Sequence, residues 1–265
     1  MKKCYLVIAL VTIILLQGCN MIQLESMWKD REITIDGNDK DWIDAKYYLK
    51  DFNVVLGIMN DNDYLYICFY PTTQDLTKQL ITQGCILWFN TDGKKKKEVG
   101  IHFPLGMQNP DMFEKKDKSS QRNPSLKDRN MEIPNLENIL LTLPKELEII
   151  GPAKNDVNRI KLKDLVGLEM AINAHKGLFA YELKIPLKDN PENSISLGLD
   201  SNTEFLIGLE TAKIERTKNS VKLGGPTSGM TGGGRRNISG SIENSKMNQT
   251  PKSLSAWMKV YLATE

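Results

Sequence analysis

Histidine is nearly absent from this chain. Among 265 residues only His102 and His175 occur, and neither stands in an H-E-x-x-H or C-x-x-C setting. The spacing that gathers a zinc ion in a hydrolytic site is therefore missing. An excess of one charge is missing too: 35 Lys+Arg against 33 Asp+Glu leave a formal net charge of +2, so nothing electrostatic favours nucleic acid as a partner. No G-x-S-x-G elbow is present. The stretch Gly232-Gly233-Gly234-Arg235-Arg236 is glycine-rich and basic, but it lacks the P-loop lysine and no strand leads into it, which makes it a solvated loop rather than a phosphate cradle. Internal repeats and a second core are also lacking, so one domain is expected. Paired carboxylates for glycoside hydrolysis are a matter of spatial separation, and nothing in the sequence gives a positive reason to place them. A non-catalytic protein is expected, with a glycan-active enzyme as the alternative.

The N-terminus carries the sharpest pattern that is present. Lys2 and Lys3 form a positive start, and Tyr5 to Leu16 is an almost unbroken apolar run. At about a dozen residues it suits a signal segment and is too short to cross a bilayer comfortably. Leu16-Gln17-Gly18-Cys19 follows and resembles the bacterial lipobox: a leucine three before the cut, a small residue before it and a cysteine after it. The resemblance implies that residues 1–18 are removed and that the Cys19 thiol becomes a thioether to diacylglycerol, so that the protein is lipid-anchored in the cell envelope. Each buried methylene stabilises by about 0.8 kcal/mol, so two or three chains hold firmly where one would not. Asn20 rather than Asp after the cysteine leans toward the outer membrane, if the cell is Gram-negative. Of four cysteines, Cys4 would be discarded with the signal and Cys19 acylated, leaving Cys68 and Cys85. Both lie in apolar, strand-like runs; a buried free pair and a disulfide remain open, because sequence spacing does not set Cα separation.

Residues 20–31 read as a tether. From Ile33 onward the apolar period is mostly two, the signature of strands. Ile33 and Ile35 alternate before the turn Asp36-Gly37. Val54, Leu56 and Ile58 alternate before the turn cluster Asn60 to Asp63, and Tyr64 to Tyr70 is rich in β-formers. Cys85 to Phe89 is apolar on both faces, as a doubly covered strand would be. Val99, Ile101 and Phe103 make its return strand beyond the turn Asn90 to Gly93 and the lysines 94–97. Leu168 to Ile172, Phe179 to Ile185, Phe205 to Leu209 and Ala256 to Leu262 give further strands. Leu136, Ile139, Leu140 and Leu143 have helical spacing, with Asn135 as a candidate N-cap and Pro144 as the stop. The expected fold is all-β, an antiparallel, jelly-roll-like sandwich over residues 32–265, with one short helix and two long mobile surface insertions at 104–132 and 216–252.

Ile33-Thr34-Ile35-Asp36-Gly37, the Asp41-Trp42 step, Asn62 to Phe69, Leu87 to Gly93 and Phe179 to Leu187 together resemble the family 9 carbohydrate-binding modules and their DOMON-like relatives. The resemblance runs through most of residues 33–210 and implies an antiparallel sandwich. In sugar-binding members, aromatic rings clamp a terminal sugar; the C–H face of a sugar stacks on a ring while its rim needs donors and acceptors. Trp42 matches the opening motif but stands beside a tight turn, where a core plug is favoured over a ligand platform; Trp88, in the apolar central strand, is read the same way. Trp257 and Tyr261 share the polar face of the last strand with Lys259 and are the candidate ligand aromatics, with edge-strand packing as the equal alternative. Some relatives bind calcium or haem. Asp92 is a single carboxylate with Asn90 and Thr91 beside it, which favours a solvated turn over a calcium site, and no haem ligand pair is matched, so no cofactor is expected from the residues themselves. The lysines 94–97 could touch anionic polysaccharide or lipid headgroups, or be a charged tip that keeps neighbours apart. The partners expected are a membrane through Cys19, and either carbohydrate or another envelope protein gripped by the long insertions.

Overall fold

Alternating side chains need two surfaces to cover them, and the chain supplies them as two packed sheets. The computed structural model describes residues 21–107, 136–153, 155–175, 178–200, 203–212 and 253–265. The chain divides into two units, Met1–Ala212 with Ser253–Glu265, and Lys213–Lys252; every described residue belongs to the first. Cys19 and the whole of the second expected insertion lie outside the described residues, as do residues 108–132 of the first.

In chain order the strands are β1 (Ile22–Glu25), β2 (Met27–Trp28), β3 (Lys46–Leu49), β4 (Val54–Asn60), β5 (Tyr64–Pro71), β6 (Cys85–Asn90), β7 (Val99–His102), β8 (Glu146–Ile150), β9 (Val157–Lys161), β10 (Glu169–His175), β11 (Leu178–Pro186), β12 (Glu204–Thr211) and β13 (Ser255–Tyr261). One sheet has seven strands in the order β1-β13-β12-β6-β7-β8-β9. The other has six, β10-β11-β5-β4-β2, with β3 also on β4. All pairings are antiparallel except β1 on β13 and β2 on β4. The fold is an all-β sandwich, as the two-residue period implies.

The core fills the space between the sheets. Leu56, Ile58, Ile67, Phe69, Phe179 and Tyr181 from the six-stranded sheet meet Leu87, Phe89, Phe205, Ile207, Met258 and Val260 from the other. Phe69 stacks on Tyr181 with ring centroids 4.5 Å apart. Helix α1 (Gln74–Gln83) packs against β5, β11 and β12. Thr73 caps it by accepting from the Leu76 amide, and Leu76, Leu80 and Ile81 point inward. Helix α2 (Leu136–Thr142) is the expected short helix and buries Leu136, Ile139 and Leu140.

Two stretches differ from the sequence reading. Residues 22–28, expected as tether, form β1 and β2, with Ser26 between them as the chain passes from one sheet to the other. The alternation Ile22, Leu24 inward and Gln23, Glu25 outward explains this, since a two-residue period needs only a neighbouring edge to become a strand. Residues 33–35, expected as a strand, join no ladder. They form part of a strap, residues 29–45, laid across the outer face of the six-stranded sheet. There Ile33, Trp42 and Ala45 pack with Met59, Tyr66 and Cys68 in a second, smaller cluster. That cover makes β4 and β5 buried on both faces. Cys68 lies beneath the strap and Cys85 in the main core; both are free thiols, and burial pushes each well above its ordinary pKa.

Candidate functional site

The strap leaves the two outer faces unequal. On the six-stranded side the opening motif is spent on packing. Trp42 is 0% exposed, and Glu182 on β11 is 0% exposed although it carries a carboxylate. The Trp42 indole Nε1 donates to Glu182 Oε1 at 2.6 Å, while the amides of Gly37 (2.7 Å), Asp36 (2.8 Å) and Asn38 (3.3 Å) donate to Oε2. Burial raises the Glu182 carboxyl above its ordinary value, with these donors pulling the other way. Gly37 has φ +78°, and a Cβ there would stand 2.5 Å from the Asn173 amide nitrogen, so the turn accepts only glycine without displacement of β10. Trp42 is thus a core plug, as its place beside a turn suggested.

The outward face of the seven-stranded sheet is built differently. Register places Trp257, Gly208, Trp88 and Gly100 in one row across β13, β12, β6 and β7. Each indole lies over the glycine beside it. A Cβ on Gly208 would stand 2.9 Å from two ring atoms of Trp257, and one on Gly100 would stand 2.7 Å from two ring atoms of Trp88. Glycine within these strands marks close approach of a ring to the backbone.

The two rings have different fates. Trp88 is only 6% exposed. Its Nε1 donates to Glu210 Oε2 at 3.1 Å, and the Lys97 ammonium sits 5.4 Å from the ring centroid while pairing with Glu210. Trp88 is therefore packed on one side by backbone and on the other by a cation. Trp257 is half-buried, and its indole makes no hydrogen bond to a described residue. Its neighbours on the same face of β13 are Ser255, Lys259 and Tyr261. Lys259 Nζ donates to Glu204 Oε1 at 2.8 Å and lies 5.9 Å from the Tyr261 ring; that ammonium holds the Glu204 carboxyl below its ordinary value. The expected shared face of Trp257, Tyr261 and Lys259 is present, and Trp88 joins it through the sheet register.

Farther along the same face, His102 Nδ1 lies 2.9 Å from Glu148 Oε2, and Arg159 Nε donates to Glu148 Oε1 at 3.2 Å. Burial pushes Glu148 up, but Arg159 and His102 together hold it below its ordinary value. The Asn90 side chain accepts from the Lys94 amide at 3.0 Å and donates to Glu98 at 2.7 Å, so it braces the turn after β6. Asp92 is exposed in that turn, and no group of three His, Cys, Asp or Glu able to hold a metal occurs among the described residues. No described helix is long and apolar enough to cross a membrane. On the other sheet, β2 and β3 abut the same side of β4. Near Ile58 this leaves a crevice of about 300 Å³ lined by Glu25, Met27, Asp44, Lys46 and Tyr47 among others.

No family model matches this chain. No curated protein matches it either. Among solved structures it is similar to a family 9 carbohydrate-binding module from Caldicellulosiruptor kristjanssonii in complex with cellotriose. The identity is 11%, over 74% of this chain and 78% of that one, with a TM-score of 0.31. A structure of such a module from the same organism in complex with glucose is similar at 10% identity, over 72% and 80%, with a TM-score of 0.30. At such TM-scores too little of the two chains superposes to transfer the role of any residue.

Proposed function

We propose that this chain is an exported lipoprotein, held in the cell envelope by lipid on Cys19, and that it binds carbohydrate without catalysis through the outward face of its seven-stranded sheet. The observation that carries the binding reading is the half-buried Trp257 ring lying over Gly208, beside the Glu204–Lys259 pair and Tyr261. A flat apolar ring stacks on the C–H face of a sugar, and charged and hydroxyl groups at its margin can reach the sugar's rim.

A soluble form beginning at residue 20 keeps β1 and is suited to affinity gels of plant and bacterial glycans. The expected result is retention by at least one glycan, weakened about tenfold by Trp257→Ala, which corresponds to about 1.4 kcal/mol, with the strand-rich circular dichroism spectrum retained. Equal retention of the variant would remove Trp257 from the site, and failure across glycans would remove the reading. The anchor is tested separately. In a bacterial host the full chain should incorporate labelled palmitate, and Cys19→Ser should abolish the label and release the protein from membranes. Unchanged labelling would refute acylation at that thiol.

A further inference from the structure

The lysine turn between β6 and β7 is a strongly charged feature that the stacking site leaves unused. Lys94, Lys95 and Lys96 are all exposed, and none forms an ion pair with a described residue. Of the acids nearby, Glu98 is engaged by Asn90, and Asp92 offsets one charge. Adjacent ammonium groups repel, yet this turn is braced rather than splayed: Asn90 Oδ1 fixes the Lys94 amide at 3.0 Å, and the Lys96 amide donates to the Lys94 carbonyl at 2.7 Å. The next residue, Lys97, folds back over Trp88 and pairs with Glu210. Lys97 therefore links the basic turn to Trp88, and a ligand chain stacked on Trp257 and running obliquely across β12 toward the end of β6 would meet the turn.

We infer that the carbohydrate bound on this face is an acidic polysaccharide, its sugar rings on Trp257 and its carboxylate or other anionic groups on Lys94, Lys95 and Lys96. This rests on the stacking reading above. The link from the lysine turn through Lys97 to the aromatic row favours a glycan over anionic lipid headgroups, because a headgroup would use the charge and leave the exposed ring face without a partner.

The test uses the soluble form from residue 20 on gels of polygalacturonate and of its fully methyl-esterified form, which is the same sugar without the charge. The expected result is at least tenfold stronger retention by the acid form at low salt, lost as salt screens the lysines. In the triple variant Lys94→Ser, Lys95→Ser, Lys96→Ser the two gels should retain the protein equally, with the thermal midpoint unchanged. Three results overturn the inference: equal retention of the wild type by both gels, an unaffected triple variant, or binding to phosphatidylglycerol vesicles with no affinity for polygalacturonate. If the acid gel holds Trp257→Ala as firmly as the wild type, the lysines act alone and the joint site is refuted. Retention by neutral glycans through Trp257 with no effect of charge refutes only the acidic ligand, whereas no retention by any glycan refutes the stacking reading beneath it.

Discussion

Replacing Glu182 with leucine is expected to destabilise the protein by about 4 kcal/mol and to release the strap before the rest unfolds. The residue faces away from the main core, between Ala180 and Lys184 on a strand that alternates cleanly, and its volume is close to that of leucine. By pattern alone the change is mild. Its two oxygens, however, accept from the Trp42 indole and the amides of Asp36, Gly37 and Asn38. A buried donor left without a partner costs about 1–3 kcal/mol, so four of them exceed what a docked strap can bear. The strap's alternative is to peel into water, which exposes Trp42 and the small cluster around it. Exposing a tryptophan of 150–250 Å² costs about 4–6 kcal/mol at 25 cal/mol per Å². The smaller of the two costs sets the result, which is why the loss is expected near 4 kcal/mol and is local. Denaturant unfolding should show the reduced stability, and limited proteolysis should cut within 29–45 first. An unchanged midpoint together with a resistant strap would show that Glu182 does not hold it.

That carboxylate also marks where the sequence stops being legible. The two-residue period at 179–185 places Glu182 outward, which is correct, and outward normally means solvated. Only the strap, arriving from 140 residues earlier in the chain, turns the position into the most enclosed acid described. The same strap explains why Ile33 and Ile35 resemble a strand: an extended segment laid on a sheet face alternates just as a paired strand does, and only the ladder distinguishes them. Helix α1 leaves little trace in the sequence because three inward residues, Leu76, Leu80 and Ile81, are set among glutamines and threonines, too sparse a stripe for a helical period to stand out. β9 is the edge strand and β8 lies next to it; both carry charged outer faces, which read as loop.

The candidate site was legible in part for a similar reason. Trp257, Lys259 and Tyr261 are two residues apart, so a shared face follows from the strand period itself. That Trp88 lies in the same row depends on the register of three strands, which no local pattern fixes. A signal did exist in Gly208 and Gly100: each interrupts an otherwise apolar strand, where glycine weakens the ladder unless something must approach closely. An indole lies over each of them.

Asn60 makes the opposite argument from Glu182, because it is a polar side chain on the inward side. It ends β4 two residues after Ile58, is 0% exposed, and stands where the pattern of Leu56 and Ile58 calls for leucine. Asn60→Leu is nevertheless expected to lose about 2–4 kcal/mol. Its Oδ1 accepts from the Ala263 amide at 2.9 Å and from the Ser26 hydroxyl, and its Nδ2 donates to the carbonyls of Ala263 at 3.0 Å and Asp61 at 3.2 Å. Ser26 is the residue at which the chain crosses between sheets, and its amide is held by the Tyr261 carbonyl at 2.9 Å. One carboxamide thus ties the entering chain, the leaving chain and the end of β4. Leucine would bury those groups without partners at about 1–3 kcal/mol each, reduced where water can reach them. Chemical unfolding gives the magnitude, and faster hydrogen exchange at Ala263 gives the location; a variant as stable as the wild type would mean the clasp is dispensable. Asn60→Asp separates hydrogen bonding from packing. At neutral pH its carboxylate faces the Ala263 and Asp61 carbonyls without a proton to offer, so burial and repulsion raise its pKa above the ordinary value. Stability must then be greatest below the ordinary carboxylate pKa, where the protonated oxygen can donate, and fall as pH rises through the raised one. Asn60→Leu has no such titration, so a stability curve for the aspartate variant that is flat against the wild type across this range would show that the donor at position 60 is not what holds the two chain ends together.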